Sequence, residues 1–173
     1  EIIINYDVDG IHFDDYFYPS LGKNYASNFD ATEYNAYKKQ KIAAKQPYLS
    51  IAEWRRENVN TLVRNVYSAI KRIDKNVVFG ISPGGFMDAL KANDKYYVDF
   101  ETWLGYDGYI DYLCPQLYWS NEHSTYPYNQ ILQRFLDANV NPDVKMYVGV
   151  AAYKAGIKTE EAAWYKDANV LRN

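Results

Sequence analysis

Two adjacent carboxylates, Asp14 and Asp15, close the apolar run Val8-Asp9-Gly10-Ile11-His12-Phe13. A carboxylate at the end of a strand suits a nucleophile or a general acid/base, the roles that cleavage of a glycosidic bond requires. Side chains alternate along a strand. With Ile11 and Phe13 toward a helix layer, His12 and Asp14 face the opposite side and Asp15 turns toward the helices or the next loop. Arg55 and Arg56 precede Val59 by four and three residues, so both lie near the buried stripe of one helix. Buried arginines need carboxylate partners, and Asp14 and Asp15 are the expected ones. Tyr118-Trp119 follow a third apolar run, where their rings could stack against sugar faces. Gln116, Ser82 and the Tyr153 phenol offer hydrogen bonds to hydroxyls. Each group also has a plain structural use: an ion pair for the aspartates, packing inside the fold for His12, packing under a loop for Tyr118 and Trp119. Glu122 and Asp88 are the other acids near strand ends and read as solvated loop charges.

Four apolar segments must position these groups. They are expected as parallel strands near residues 8–14, 76–82, 110–117 and 145–151, each ending in polar or aromatic residues. Helices are expected between them. Val59, Leu62, Val63, Val66, Ile70 and Ile73 form a helical stripe over 51–73, opened by a capping box of Ser50 and Glu53. Further helices are expected over 96–107, 128–138 and 159–171. Strand-helix-strand repetition gives an α/β fold with a parallel sheet. The first two strands begin 69 residues apart, which leaves a Tyr-, Asn- and Lys-rich insertion over 16–50. Active sites of such folds lie at the carboxyl ends of the strands, where all four segments place their polar groups.

Composition narrows the function. The chain has 173 residues, 48% of them hydrophobic and 24% charged, as in an ordinary globular domain. Its formal charge of −3 argues against a nucleic-acid partner. No apolar window reaches the length of a transmembrane helix. The single cysteine, Cys114, excludes an internal disulfide and a cysteine zinc site. No phosphate-binding loop, dinucleotide fingerprint or serine nucleophile elbow occurs, and no cofactor is expected. Tyrosine is abundant, 19 residues among 17% aromatics, which suits a wet, amphipathic surface such as a sugar cleft.

The run Tyr6-Asp7-Val8-Asp9-Gly10-Ile11-His12-Phe13-Asp14-Asp15-Tyr16-Phe17-Tyr18-Pro19 resembles the signature of the bacterial glycosyl-hydrolase-like family 10 domain. The resemblance continues through Trp54-Arg55-Arg56-Glu57-Asn58, Phe79-Gly80-Ile81-Ser82-Pro83, Asp111 to Trp119 and Tyr147 to Lys154, essentially the whole chain. It implies a (β/α)₈ TIM barrel, of which this chain would be a fragment of one domain, strands four to seven, cut at both ends. It also implies a secreted or envelope-associated bacterial glycosidase acting on a polysaccharide such as cell-wall glycan. By the same resemblance Asp14 and Asp15 fall in the catalytic motif. The resemblance places Arg55, Arg56, Asn58, Ser82, Gln116 and Tyr118 around it, and His12, Tyr16, Trp54, Trp119 and Tyr153 complete the candidate substrate-binding residues. The sequence departs from the family where Gly84-Gly85-Phe86 follows Ser82-Pro83 in place of Phe-Gly.

Two other readings stand beside the hydrolase: a non-catalytic carbohydrate-binding domain on a degenerate barrel, and a metal-dependent hydrolase using His12, Asp14 and Asp15. A second carboxylate for double or single displacement would come from outside the chain or from Glu122. A half barrel leaves apolar positions such as Val78, Leu113 and Tyr147 open on its inward face, so the isolated fragment is expected to self-associate and to have little activity.

Overall fold

The computed structural model describes residues 1–15, 17–18, 29–92 and 95–154. Tyr16 and the helix expected over 159–171 lie outside the described residues. The strands are β1 (Gly10–Asp14), β2 (Val78–Ser82), β3 (Tyr112–Leu113) and β4 (Lys145–Met146). They form one parallel sheet in the order β1-β2-β3-β4, with Gly10 opposite Val78, Gly80 opposite Tyr112 and Leu113 opposite Met146. The parallel order is as expected, but the last two strands are shorter. Pro83 and Pro115 lack the N–H that a regular ladder uses. Pairing therefore continues as single bridges, Gly84 to Gln116 and Gln116 to Gly149. The bonds Gln116 N–H to Pro83 O (2.9 Å) and Gly149 N–H to Pro115 O (3.0 Å) hold the carboxyl ends together where the ladder is irregular.

The helices are α1 (Ile2–Asn5), α2 (Ala31–Ala43), α3 (Ile51–Ile73), α4 (Met87–Lys91), α5 (Phe100–Gly105) and α6 (Tyr128–Ala138). α3 and α6 match their sequence patterns. At the start of α3 the Ser50 side chain accepts from Glu53 N–H, and the Glu53 carboxylate accepts from Ser50 N–H at 2.8 Å. The helix expected over 96–107 begins only at Phe100, because Tyr97 is held at φ 55°, outside the helical region. The insertion carries α2, and the β2 loop carries α4; neither has a clear apolar stripe in the sequence.

One face of the sheet carries the core. Phe79, Ile81 and Leu113 are fully buried there beneath Val59 and Val63 of α3, Phe100, Trp103 and Leu104 of α5, and Ile131 and Phe135 of α6. Leu113 thus belongs to the helix side and not, as expected, to the open face. The open face carries His12, Asp14, Val78, Tyr112 and Tyr147. Tyr112 lies flat across β2: a Cβ at Gly80 would sit 2.1 Å from its ring. Its hydroxyl lies 2.8 Å from His12 Nδ1. Only glycine allows that approach, so Gly80 sets the height of the tyrosine layer.

Candidate active site

The carboxyl ends of β1, β2 and β3 converge on the Asp14-Asp15 pair. The alternation of β1 sends the two carboxylates different ways. Asp14 is exposed on the open face, and its Oδ1 accepts from Gln116 Nε2 at 2.7 Å. The same amide donates to Ser82 O at 3.0 Å. Gln116, just beyond β3, is thereby fixed against β1 and β2 at once and orients Asp14. Asp15 turns into the β2 loop and is buried, 7% exposed. Its Oδ2 accepts from Gly84 N–H at 2.6 Å. A Cβ at position 84 would lie 3.3 Å from that oxygen, so glycine lets the backbone come close. Burial raises the Asp15 pKa, the Gly84 N–H partly offsets this, and the neighbouring Asp14 charge raises it again.

A cleft of about 450 Å³ opens beside the pair, lined by Asp15, Gly84, Phe86, Ala89, Leu90, Lys95, Tyr96, Gln116 and Tyr126. Its size is that of a small-ligand site. Phe86, Lys95, Tyr96 and Tyr126 were not singled out by the sequence. The glycine pair before Phe86 was the one available signal, since it allows an unusual turn after a strand; nothing in the sequence marks the other three.

The remaining candidates separate. Arg55 does not pair with Asp14 or Asp15. It is buried, 3% exposed, and grips Asp30 with Nε at 2.8 Å and Nη2 at 2.6 Å. Its Nη1 donates to the Tyr97 hydroxyl at 2.7 Å, and the guanidinium lies over the rings of Tyr18, Phe29 and Tyr97. The Asp30 hydrogen bonds push the Arg55 pKa up despite burial. The expected partner was wrong because the insertion brings its own acid, Asp30 at the start of α2, onto α3. Arg56 reaches Lys91 O at 3.3 Å rather than a strand-end carboxylate. Trp54 packs on Tyr34 and Tyr37 of α2, and Asn58 bonds the Tyr18 hydroxyl. None of Arg55, Arg56, Trp54 and Asn58 lines the cleft.

At the strand ends, Ser82 donates its hydroxyl proton to Cys114 O at 2.8 Å, so it joins β2 to β3. Trp119 is buried, 7% exposed, beneath Phe86, whose ring stacks on it at 4.5 Å. The exposed aromatic surface at this rim is therefore Phe86 and not Trp119. Tyr118 meets Tyr153 edge-on at 6.4 Å, and Lys154 Nζ donates to Tyr118 O. Asp88 pairs with Arg134 at 2.9 Å on the surface. His12, Asp14 and Asp15 do not converge as ligands: His12 turns to Tyr112 and Asp15 to Gly84. Among the described residues no group of three or more His, Cys, Asp or Glu is placed to hold a metal ion. Nor is any helix among them long and apolar enough to cross a membrane.

The family model described as glycosyl hydrolase-like 10 matches residues 1–167. The chain belongs to this family. It is 34% identical over 169 residues to glycosyl hydrolase YngK of Bacillus subtilis, covering 89% of this chain and 31% of that protein. It is also 34% identical over 169 residues to glycosyl hydrolase DigH of Escherichia coli K12, covering 90% of this chain and 36% of that protein. The chain therefore spans about a third of the length of these curated relatives. The Asp14-Asp15 pair lies within the matched region.

Proposed function

We propose that this chain carries the catalytic carboxylates of a glycoside hydrolase, on a sheet that forms strands four to seven of a (β/α)₈ barrel, acting on bacterial cell-wall polysaccharide outside the cytoplasm. The observation that carries this reading is the split environment of Asp14 and Asp15. Neighbouring carboxylates held in different surroundings divide acid and base roles between them. Asp15, buried with a raised pKa, keeps its proton to higher pH and is the general acid. The proton passes from its carboxyl to the glycosidic oxygen as the bond to the anomeric carbon breaks and the departing sugar leaves as an alcohol. Asp14, exposed and oriented by Gln116, faces the positive charge that develops at that carbon, where a water molecule then adds and gives its proton back to the Asp15 carboxylate. The parallel sheet with these groups at its carboxyl edge is the arrangement in which barrel enzymes hold their sites.

The test is release of reducing ends from purified cell-wall glycan by the full-length protein. Asp14→Asn and Asp15→Asn are each expected to lower the rate about 10²–10⁴-fold, the range for removal of a positioned acid or base. Because Asp15 works protonated, the wild-type rate should fall as pH rises through its raised pKa. Unchanged hydrolysis in both variants overturns the assignment. Glycan binding without turnover in the wild type would instead identify a carbohydrate-binding domain.

A further inference from the structure

We propose that Phe86 is a stacking platform for one pyranose ring of an oligosaccharide, set in the cleft beside Asp15; this rests on the glycosidase reading of that site. Phe86 is 42% exposed and lines the cleft that holds the buried Asp15. It is not loose. Its ring is parallel to the buried Trp119 within 17° at 4.5 Å, and Tyr126 meets it edge-on, 71° at 5.1 Å. Behind these, His123 lies 5.8 Å from Trp119 and 5.7 Å from Tyr126. Two rings thus hold Phe86 directly and a third backs them, so little side-chain entropy remains to be lost when a ligand settles on it.

The backbone is built for this placement. A Cβ at Gly85 would sit 2.5 Å from Gln116 O and 2.6 Å from the Trp119 ring. Glycine alone lets the β2 loop come down on the β3 loop, and that approach brings Phe86 over Trp119. The neighbouring Gly84 N–H holds Asp15. Two consecutive residues therefore tie the acid and the platform to one turn. A pyranose offers polarised C–H groups on one ring face, and an aromatic face carries the matching negative potential. Tyr96 and Tyr126, which line the same cleft, add phenol groups able to bond the equatorial hydroxyls. A pyranose uses both halves of this combination, its C–H face on the ring and its equatorial hydroxyls on the phenols.

Binding is measured by calorimetry in the Asp14→Asn background, where turnover is suppressed, with hexamers of β-1,4-linked N-acetylglucosamine, glucose and xylose as probes. Phe86→Ala is expected to weaken binding of the preferred hexamer about ten-fold, from the loss of apolar contact area. Phe86→Leu keeps the bulk and loses the ring face, so it should weaken binding nearly as much. Phe86→Tyr should retain affinity. Phe86→Leu and Phe86→Tyr keep the bulk over Trp119 and are expected to keep the parent's thermal midpoint, and Phe86→Leu carries the test if Phe86→Ala does not fold. Unchanged affinity in Phe86→Leu, or no binding of any hexamer by the parent, overturns the proposal. Absence of hydrolysis by the wild type with this affinity pattern intact removes the catalytic reading and leaves the platform standing.

Discussion

Asp15 and Asp30 flank the insertion that follows β1, and each is 7% exposed. Their surroundings differ in kind. Asp30 receives two hydrogen bonds from one guanidinium, itself 3% exposed and enclosed by three aromatic rings. Both charges of that pair are spent on each other. Among the described residues no cation is paired with Asp15: its close contacts are a backbone N–H from Gly84 and a second carboxylate next in sequence. A buried acid beside another acid disfavours the charged form, and stability alone would select against it. The comparison separates a carboxylate that holds the insertion on α3 from one whose burial no ion pair explains, the one proposed as the general acid.

The sharpest way to break this contrast is to remove the cation. Arg55→Ala leaves Asp30 buried and uncompensated, which costs about 3–5 kcal/mol where a buried pair loses one partner. Urea denaturation at neutral pH should show that loss in the midpoint. Arg55→Met combined with Asp30→Leu should lose far less, because two apolar groups replace both charges at once. A cost below about 1 kcal/mol for Arg55→Ala would mean that the pair does not anchor the insertion.

A smaller effect is expected at the turn that serves the acid side of the comparison. Gly85→Ala forces a methyl against Gln116 O, a backbone atom that cannot swing aside. Overpacking of this kind costs about 1–3 kcal/mol. Thermal unfolding should register it, and the shift of the β2 loop should lower hydrolysis by displacing both Gly84 N–H and Phe86. Full activity with unchanged stability would show that the loops can part without disturbing Asp15.

The strand order, the α3 register and its capping box could all be read from the sequence, because periodicity and caps are local signals and these segments are strongly patterned. The alternation in β1 likewise predicted that His12 and Asp14 share the face opposite Ile11 and Phe13. The Arg55 partner could not be found that way. Asp30 lies 25 residues earlier, in an insertion without periodic apolar residues, and helix phase tells that Arg55 is buried but not which acid descends on it. Nor could the sequence tell which aromatic faces the cleft. Tyr118-Trp119 stood out as adjacent rings after a strand, yet Trp119 is covered by Phe86. That inversion depends on the missing Cβ at Gly85, a property of two loops meeting rather than of either segment.

The smallest expected effect tests the acid itself. The Asp15 pKa is raised in the folded protein above the ordinary value of 3.8, chiefly by burial. Between the unfolded and folded pKa the native state therefore holds more protons than the unfolded chain, and stability declines as pH rises through that window. The contribution of Asp15 is fully present below the unfolded pKa and lost above the folded one. Asparagine in its place carries no charge to bury and can still accept from Gly84 N–H through its amide oxygen. Asp15→Asn should therefore be at least as stable as the wild type at pH 7, with the advantage shrinking as pH falls through the raised folded pKa and gone below about 4, the carboxylate reference value. Denaturation midpoints of both proteins across that range decide it. Asp30→Asn provides the opposite case, since it strips a buried arginine of its counter-charge and should destabilise at neutral pH. If Asp15→Asn proves the less stable at pH 7, the Gly84 hydrogen bond outweighs burial, the carboxylate is a structural anchor like Asp30, and the general-acid role loses its physical basis.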